Sequence, residues 1–136
     1  METDSTARIG MNTDSPEQGK PRIVAVMTDL FFAVQIREAA KKSGCAVEIL
    51  NDRAAALEKT PGSSLAIIDL NYSAIDPIGL IREIKADAGS KNVRLIGFVS
   101  HVQTELRRQA QDAGCDLVLP RSAFAQKLPE IFNQLA

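Results

Sequence analysis

The sequence predicts an α/β domain in which a doubly wound, five-stranded parallel sheet lies between two layers of helices. From residue 22 onward, short apolar runs alternate with stretches of helical periodicity, which is typical of βαβ units. The runs are almost continuously apolar, which indicates strands buried on both faces. With 136 residues, of which 45% are hydrophobic, the chain has material for one core but not for two.

Five apolar runs are predicted to be strands. They are Arg22 to Met27, Ala46 to Leu50, Leu65 to Leu70, Val93 to Val99, and Asp116 to Leu119. Right-handed crossovers between successive strands favour the flavodoxin-like order 2-1-3-4-5, and hence a three-layer α/β/α architecture.

The first three helices are predicted from apolar spacing and from capping residues. The first spans Leu30 to Lys42 and ends at Gly44, with a stripe formed by Phe31, Phe32, Val34 and Ala40. Asp52 caps a short second helix through Leu57, and Asp76 followed by Pro77 opens a third. The inward residues of the third helix are Leu80, Ile81 and Ile84.

The last two helices are predicted to be amphipathic. The fourth carries an apolar stripe of Val102, Leu106, Ala110 and Ala113 and ends at Gly114. The fifth has Leu128, Ile131, Phe132 and Leu135 on one side. Because proline is tolerated only near the first turn of a helix, Pro129 predicts that this helix starts no earlier than about Ala125.

Composition and charge argue against several classes of partner. Residues 1–20 are polar and aperiodic, so we interpret them as a flexible tail preceding a domain over residues 21–136. A net charge of -1 argues against a nucleic-acid partner. No apolar run approaches the roughly 20 residues of a membrane span, and no secretory signal is evident, so we expect a cytoplasmic protein without a membrane partner.

The two cysteines are predicted to be unlinked. Cys45 and Cys115 lie next to strands two and five, at opposite edges of the predicted sheet. They form no C-x-x-C motif and lie among too few histidines for a zinc site. We therefore expect neither a disulfide nor a metal.

Ligands of such sheets bind at the carboxyl ends of the strands. The residues predicted to lie there are Met27, Thr28, Asp29, Asp69, Val99, Ser100, His101, Arg121 and Ser122.

Two segments carry a family resemblance over Arg22 to Ala136. One is Ile67-Ile68-Asp69-Leu70-Asn71, followed by Asp76; the other is Ala113-Gly114-Cys115-Asp116, leading into Val118-Leu119-Pro120-Arg121. In these segments the chain resembles a response-regulator receiver domain of two-component signalling. The resemblance implies that Asp69 takes the place of the phosphoacceptor and Arg121 that of the usual lysine.

The departures from the family pattern concern its chemistry. Met27 and Thr28 stand where receivers carry an acidic pair, Val99 where they have a switch threonine or serine, and Val118 where they usually have an aromatic residue. Mg²⁺ prefers carboxylate and other oxygen ligands, so we expect it to bind weakly at most, and we expect no other cofactor. Asp29, one position later, either caps the first helix or approaches the pocket.

Arg121 is open to three interpretations. It pairs with Asp69, it holds an anion, or it is a solvated surface arginine.

The predicted function is a stand-alone, degenerate receiver that is not an enzyme and acts by protein docking, without the usual aspartyl phosphorylation. The resemblance implies that it docks on signalling proteins, or on itself, through the face of helix 4, strand 5 and helix 5. Because the chain ends after helix five, no output domain is expected.

Two alternatives stay open. The first is a working phosphoacceptor that uses Asp69, with Asp29 or a partner's groups completing the metal site. The second is a small enzyme or metabolite-binding domain that uses a cleft around Ser100, His101 and Arg121.

Overall fold

The computed structural model describes residues 19–135, in which five strands alternate with five α-helices. The strands are β1 (Arg22–Val26), β2 (Ala46–Leu50), β3 (Leu65–Asp69), β4 (Arg94–Val99) and β5 (Leu117–Pro120). The helices are α1 (Leu30–Lys42), α2 (Arg53–Lys59), α3 (Pro77–Ala86), α4 (Thr104–Ala113) and α5 (Arg121–Asn133). Except for its last two residues, the predicted tail over residues 1–20 lies outside the described part of the chain.

All five strands are parallel and follow the order β2-β1-β3-β4-β5. The central strand β3 is buried along its whole length, and β1 is buried after Arg22. The predicted flavodoxin-like class and strand order are therefore confirmed. Within residues 19–135, no helix combines the length and apolar character that crossing a bilayer requires.

The sheet separates two apolar layers. On one face, α2, α3 and α4 pack around β3 residues such as Ala66 and Ile68. On the other face, α1 and α5 pack around Ile67 of the same strand. Successive side chains of a strand point to opposite faces, so one run of residues supplies both layers.

Three phenylalanines join α1, β4 and α5 on the second face. Phe32 meets Phe98 edge-on with ring centroids 5.1 Å apart, and it meets Phe124 in the same way at 5.9 Å. Phe98 and Phe124 are stacked at 5.7 Å. These geometries are the favourable ones for aromatic pairs, and the cluster forms an apolar layer under the carboxyl end of β4.

The caps predicted for α2 and α3 are confirmed. The Asp52 carboxylate accepts a hydrogen bond from the Ala55 amide at 2.7 Å, and Asp76 accepts one from Gly79 at 3.3 Å. Leu80, Ile81 and Ile84 of α3 are buried as expected. Both cysteines are free and buried, as predicted.

The apolar stripes predicted for α1 and α4 are partly wrong. The buried residues of α1 are Phe32, Ala33, Ile36 and Ala40, whereas Phe31 and Val34 are exposed. Neighbouring helical residues point about 100° apart, so Phe31 and Phe32 do not share one face. Val102 precedes α4 and is exposed, and Ala110 is the buried residue of that helix.

The prediction for the start of the last helix is wrong. α5 begins at Arg121, four residues before Ala125, and continues through Pro129. An internal proline costs about 3 kcal/mol. Fully burying one large apolar side chain gives about 1.5–3 kcal/mol, and α5 buries Phe124, Leu128, Ile131 and Phe132. The apolar face of the helix outweighs the effect of proline.

Candidate functional site

The predicted site residues meet at the carboxyl edge of the sheet. Asp29 follows β1, Asp69 ends β3, and Arg121 follows β5 as the first residue of α5. Parallel strands bring these three chain-distant positions to one edge. The site therefore combines two carboxylates with one guanidinium.

Asp69 is a buried carboxylate at the base of the site. Its residue is 8% exposed, and its Oδ1 accepts a hydrogen bond from the Asn71 amide at 2.9 Å. Burial raises the pKa of Asp69 above its ordinary value, while the Asn71 hydrogen bond and the charge of Arg121 act in the opposite direction. The protein thus keeps an ionisable group where the charged form is disfavoured.

Asp29 both caps α1 and reaches into the site. Its Oδ1 accepts a hydrogen bond from the Phe32 amide at 3.1 Å, capping α1, and its Oδ2 accepts one from Arg121 Nη1 at 2.5 Å. The Phe32 hydrogen bond and then the Arg121 charge lower the pKa of Asp29. The guanidinium therefore pairs with Asp29, and the direct pairing of Arg121 with Asp69, which was one of three interpretations, is not formed.

Arg121 also lies over two aromatic rings. Its guanidinium carbon is 5.4 Å from the centroid of Phe32 and 5.6 Å from that of Phe98, within the range of cation–π attraction. Its Nε is buried and has no hydrogen-bond partner. Ring contacts and the Asp29 carboxylate thus hold one fixed positive charge in the site, which argues against a freely solvated arginine.

The donor groups at this edge of the sheet do not fit Mg²⁺, which prefers several oxygen ligands. Met27 is fully buried in the core and supplies no oxygen, and Thr28 is exposed with a neutral hydroxyl. Asp29 is occupied by Arg121. Between residues 19 and 135, no three acidic, histidine or cysteine side chains cluster as metal ligands do.

Asn71 links two loops of the site, and sequence reasoning missed this role. Its Oδ1 accepts a hydrogen bond from the Ser100 amide at 2.8 Å, and its Nδ2 donates one to Gln103 Oε1 at 2.9 Å. The available signal was its position two residues after Asp69. The loop after β3 is thereby connected to the loop after β4.

The remaining predicted residues line the rim. Val99 is buried, whereas Ser100, His101 and Ser122 are exposed. His101 Nδ1 lies 3.1 Å from the Val102 carbonyl oxygen. Within the described chain, no hydrogen bond joins the side chains of Ser100 and His101.

Comparison with known proteins identifies the fold. Neither a protein-family model nor a curated protein matches the sequence. The solved structure of a response regulator from Hahella chejuensis superposes with a TM-score of 0.77, covering 85% of this chain and 95% of that one, at 17% identity. The fold is that of a response-regulator receiver domain. The resemblance found in the sequence is thus confirmed at the level of the fold.

Two further receiver structures match the same fold. A chemotaxis response regulator of Vibrio cholerae matches with a TM-score of 0.74, 14% identity and coverage of 86% of this chain and 99% of that one. The phosphorylated cyanobacterial phytochrome response regulator RcpA matches with a TM-score of 0.72 and 19% identity, over 85% and 91% of the two chains. At these identities, the receiver fold is what the chains share.

Proposed function

We propose that this chain is an atypical receiver that signals by docking on other proteins, without normal Mg²⁺-dependent phosphorylation of Asp69 and without enzymatic turnover. The observation that carries the proposal is the pairing of Asp29 with Arg121. Among the described residues, Asp29 is the carboxylate nearest in sequence to the missing acidic pair, and its charge is already neutralised by a guanidinium at 2.5 Å. The carboxylate that a metal would need is taken.

The chemistry of phosphoryl transfer supports this view. A phosphorylated Asp69 adds several negative oxygens to a small site, and a metal held by carboxylates normally neutralises them. Arg121 supplies one cation, but its other contacts hold it over Phe32 and Phe98. Val99 has no donor with which to hold a phosphoryl oxygen. Phosphoryl transfer to Asp69 therefore lacks a metal site, and the response to a phosphorylated Asp69 lacks a hydrogen-bond donor at position 99.

The proposed docking face consists of α4, β5 and α5. A recess of about 90 Å³ opens there between α4 and β5. Its floor includes Val99 and Val118, and Arg107 lies at its edge. Arg108, by contrast, is neutralised within α4 by Glu105 and Asp112. We infer that a partner inserts an apolar side chain into the recess and places an acidic group near Arg107.

Restoring the missing groups tests the first part of the proposal. Met27 is fully buried, so an aspartate there would bury a charge in the core. The better variant combines T28D, V99T and R121K, which leaves Met27 in place. We expect it to bind Mg²⁺ more tightly than the natural protein in calorimetry and to gain labelling by a small acyl-phosphate donor. Ready, Mg²⁺-dependent labelling of the natural protein that D69A abolishes would refute the proposal.

Partner capture tests the second part. We expect R107E to lose the partner that the natural protein captures, whereas Q111E, an exposed residue of the same helix, and D69A keep it. Loss of capture in D69A alone would instead indicate signalling through the aspartate.

A working phosphoacceptor is the second candidate. In its favour, Asp69 sits at the carboxyl end of β3 with a backbone donor at 2.9 Å. Two of the neighbouring receivers were solved as a phosphorylated form and as a Mn²⁺-bound form. The labelling experiment above decides between the two candidates.

A further inference from the structure

The N-terminal half of α1 exposes an apolar patch. Leu30 is 76% exposed, Phe31 90% and Val34 55%, and they are three of the four large hydrophobic side chains exposed within residues 19–135. Single exposed hydrophobics are ordinary, but a contiguous group on one helix marks an interaction surface.

A groove lies beside this patch, between α1 and α5. It is a shallow, open groove of about 460 Å³, and its apolar lining comes from Val34 and Ala39 of α1 together with Ala125, Leu128 and Pro129 of α5. Val34 belongs to both the patch and the groove. We call the two together the α1 face.

We propose that a second copy of this chain covers the α1 face in a two-fold symmetric dimer, with Phe31 of each copy in the groove of the other. In such an interface, the same patch must carry both the protruding group and the recess that receives it. The α1 face has both, since Phe31 protrudes and Glu38, seven residues later, lines the groove. Antiparallel α1 helices that cross near Val34 bring Phe31 of one copy beside Glu38 of the other.

Charge favours the same arrangement. The charged residues of α1 all lie in its C-terminal half: Arg37, Glu38, Lys41 and Lys42. In the antiparallel crossing, the apolar residues meet at the centre, and the charged residues of each helix lie at the rim. An apolar centre with a polar rim is the usual anatomy of an interface.

The exposed apolar area suits a weak dimer. A buried aromatic side chain contributes roughly 150–250 Å², so Leu30, Phe31 and Val34 together offer roughly 400 Å² of apolar surface. With the groove lining, the total stays below the roughly 800 Å² per partner of a standard interface, so we expect a weak, concentration-dependent dimer. The α4 recess stays uncovered, so this inference is independent of the proposed docking function.

Sedimentation of the full chain, from micromolar to near-millimolar concentration, tests the dimer. We expect a reversible monomer–dimer equilibrium, and we expect F31E to weaken dimerisation by about 100-fold or more, because each copy of the symmetric dimer loses a buried phenyl group. V102E is the matched control, because Val102 is the fourth exposed hydrophobic, 72% exposed, and lies outside the α1 face. Circular dichroism checks that both variants are folded.

Cross-linking gives a second, geometric test. Because Val34 lies at the proposed crossing, V34C should form an intermolecular disulfide under mild oxidation, whereas V102C and the natural protein should not. A natural protein that stays monomeric throughout would overturn the proposal, as would a dimer that F31E leaves unchanged or that only V102E dissociates. A monomer that dimerises only after removal of residues 2–18 would also overturn it.

Discussion

Replacing Arg121 with alanine removes a guanidinium that has three partners, and the structure gives the cost of each. The ion pair with Asp29 joins side chains that are 38% and 28% exposed, so solvent screening limits it to about 0.5–1 kcal/mol. The contacts with Phe32 and Phe98 are worth about 0.5–1 kcal/mol each. We expect R121A to lower the free energy of unfolding by about 2 kcal/mol, or roughly 8 °C in Tm for a domain of this size.

Urea denaturation followed by circular dichroism measures this loss against a matched control. Arg108 bonds two carboxylates, Glu105 at 2.5 Å and Asp112 at 2.7 Å, but all three side chains are more than half exposed. R108A should therefore cost clearly less than R121A. R121K keeps the charge and loses the planar contact with the rings, so its cost should fall between those of the two alanine variants.

A double-mutant cycle with D29N separates the ion pair from the ring contacts. Asparagine keeps the cap of α1 and removes the charge. The coupling energy between R121A and D29N should stay below about 1 kcal/mol, and the rest of the effect should persist in the D29N background. Equal unfolding free energies for R121A and R108A would refute the reasoning that the rings hold the guanidinium.

Three further predictions concern the buried groups. D69N should raise the free energy of unfolding at about pH 7 by on the order of 1 kcal/mol, because it removes a buried negative charge. Burial raises the native pKa of Asp69, so the stability of the natural protein is highest below the ordinary pKa of 3.8 and falls as the pH rises through the native pKa. The advantage of D69N over the natural protein should therefore vanish in urea titrations near pH 3. G97A should cost about 1–3 kcal/mol in the same assay, since the added Cβ would lie 2.8 Å from Leu70 Cδ1. Burial raises the pKa of the Cys115 thiol to about 11, so a disulfide reagent should modify it only as fast as the native protein opens, and rapid labelling of folded protein would contradict this burial.

The features that the sequence could predict are those that depend on local patterns and on handedness. The run from Leu65 to Asp69 is apolar until its last residue and is buried throughout. Asp52 and Asp76 cap helices because their carboxylates reach amides three residues away in the chain. The strand order follows from right-handed crossovers, and no long-range contact has to be known.

The parts that could not be predicted depend on tertiary contacts. The face of α1 that is buried depends on the sheet beneath it, so Phe31 and Phe32 were indistinguishable in the sequence. α5 continues through Pro129 because its apolar face is buried, for example where Phe124 stacks on Phe98, a residue far away in the chain. Similarly, both Asp29 and Asp69 are far from Arg121 in sequence, so only the folded structure shows that Arg121 bonds Asp29.

Asn71 provides a physical connection between the candidate site and the α4 recess. Its backbone amide donates a hydrogen bond to Asp69 Oδ1, and its side chain bonds the Ser100 amide and Gln103, which also lines the α4 recess. A partner that draws Gln103 away from Asn71 changes the environment of the Asp69 carboxyl, and hence its affinity for a proton. By reciprocity, protonating that carboxyl changes the affinity for the partner by the same factor. Under the proposed function, acidity would then be an input to docking, and D69A, which keeps the partner, would remove only this dependence on pH.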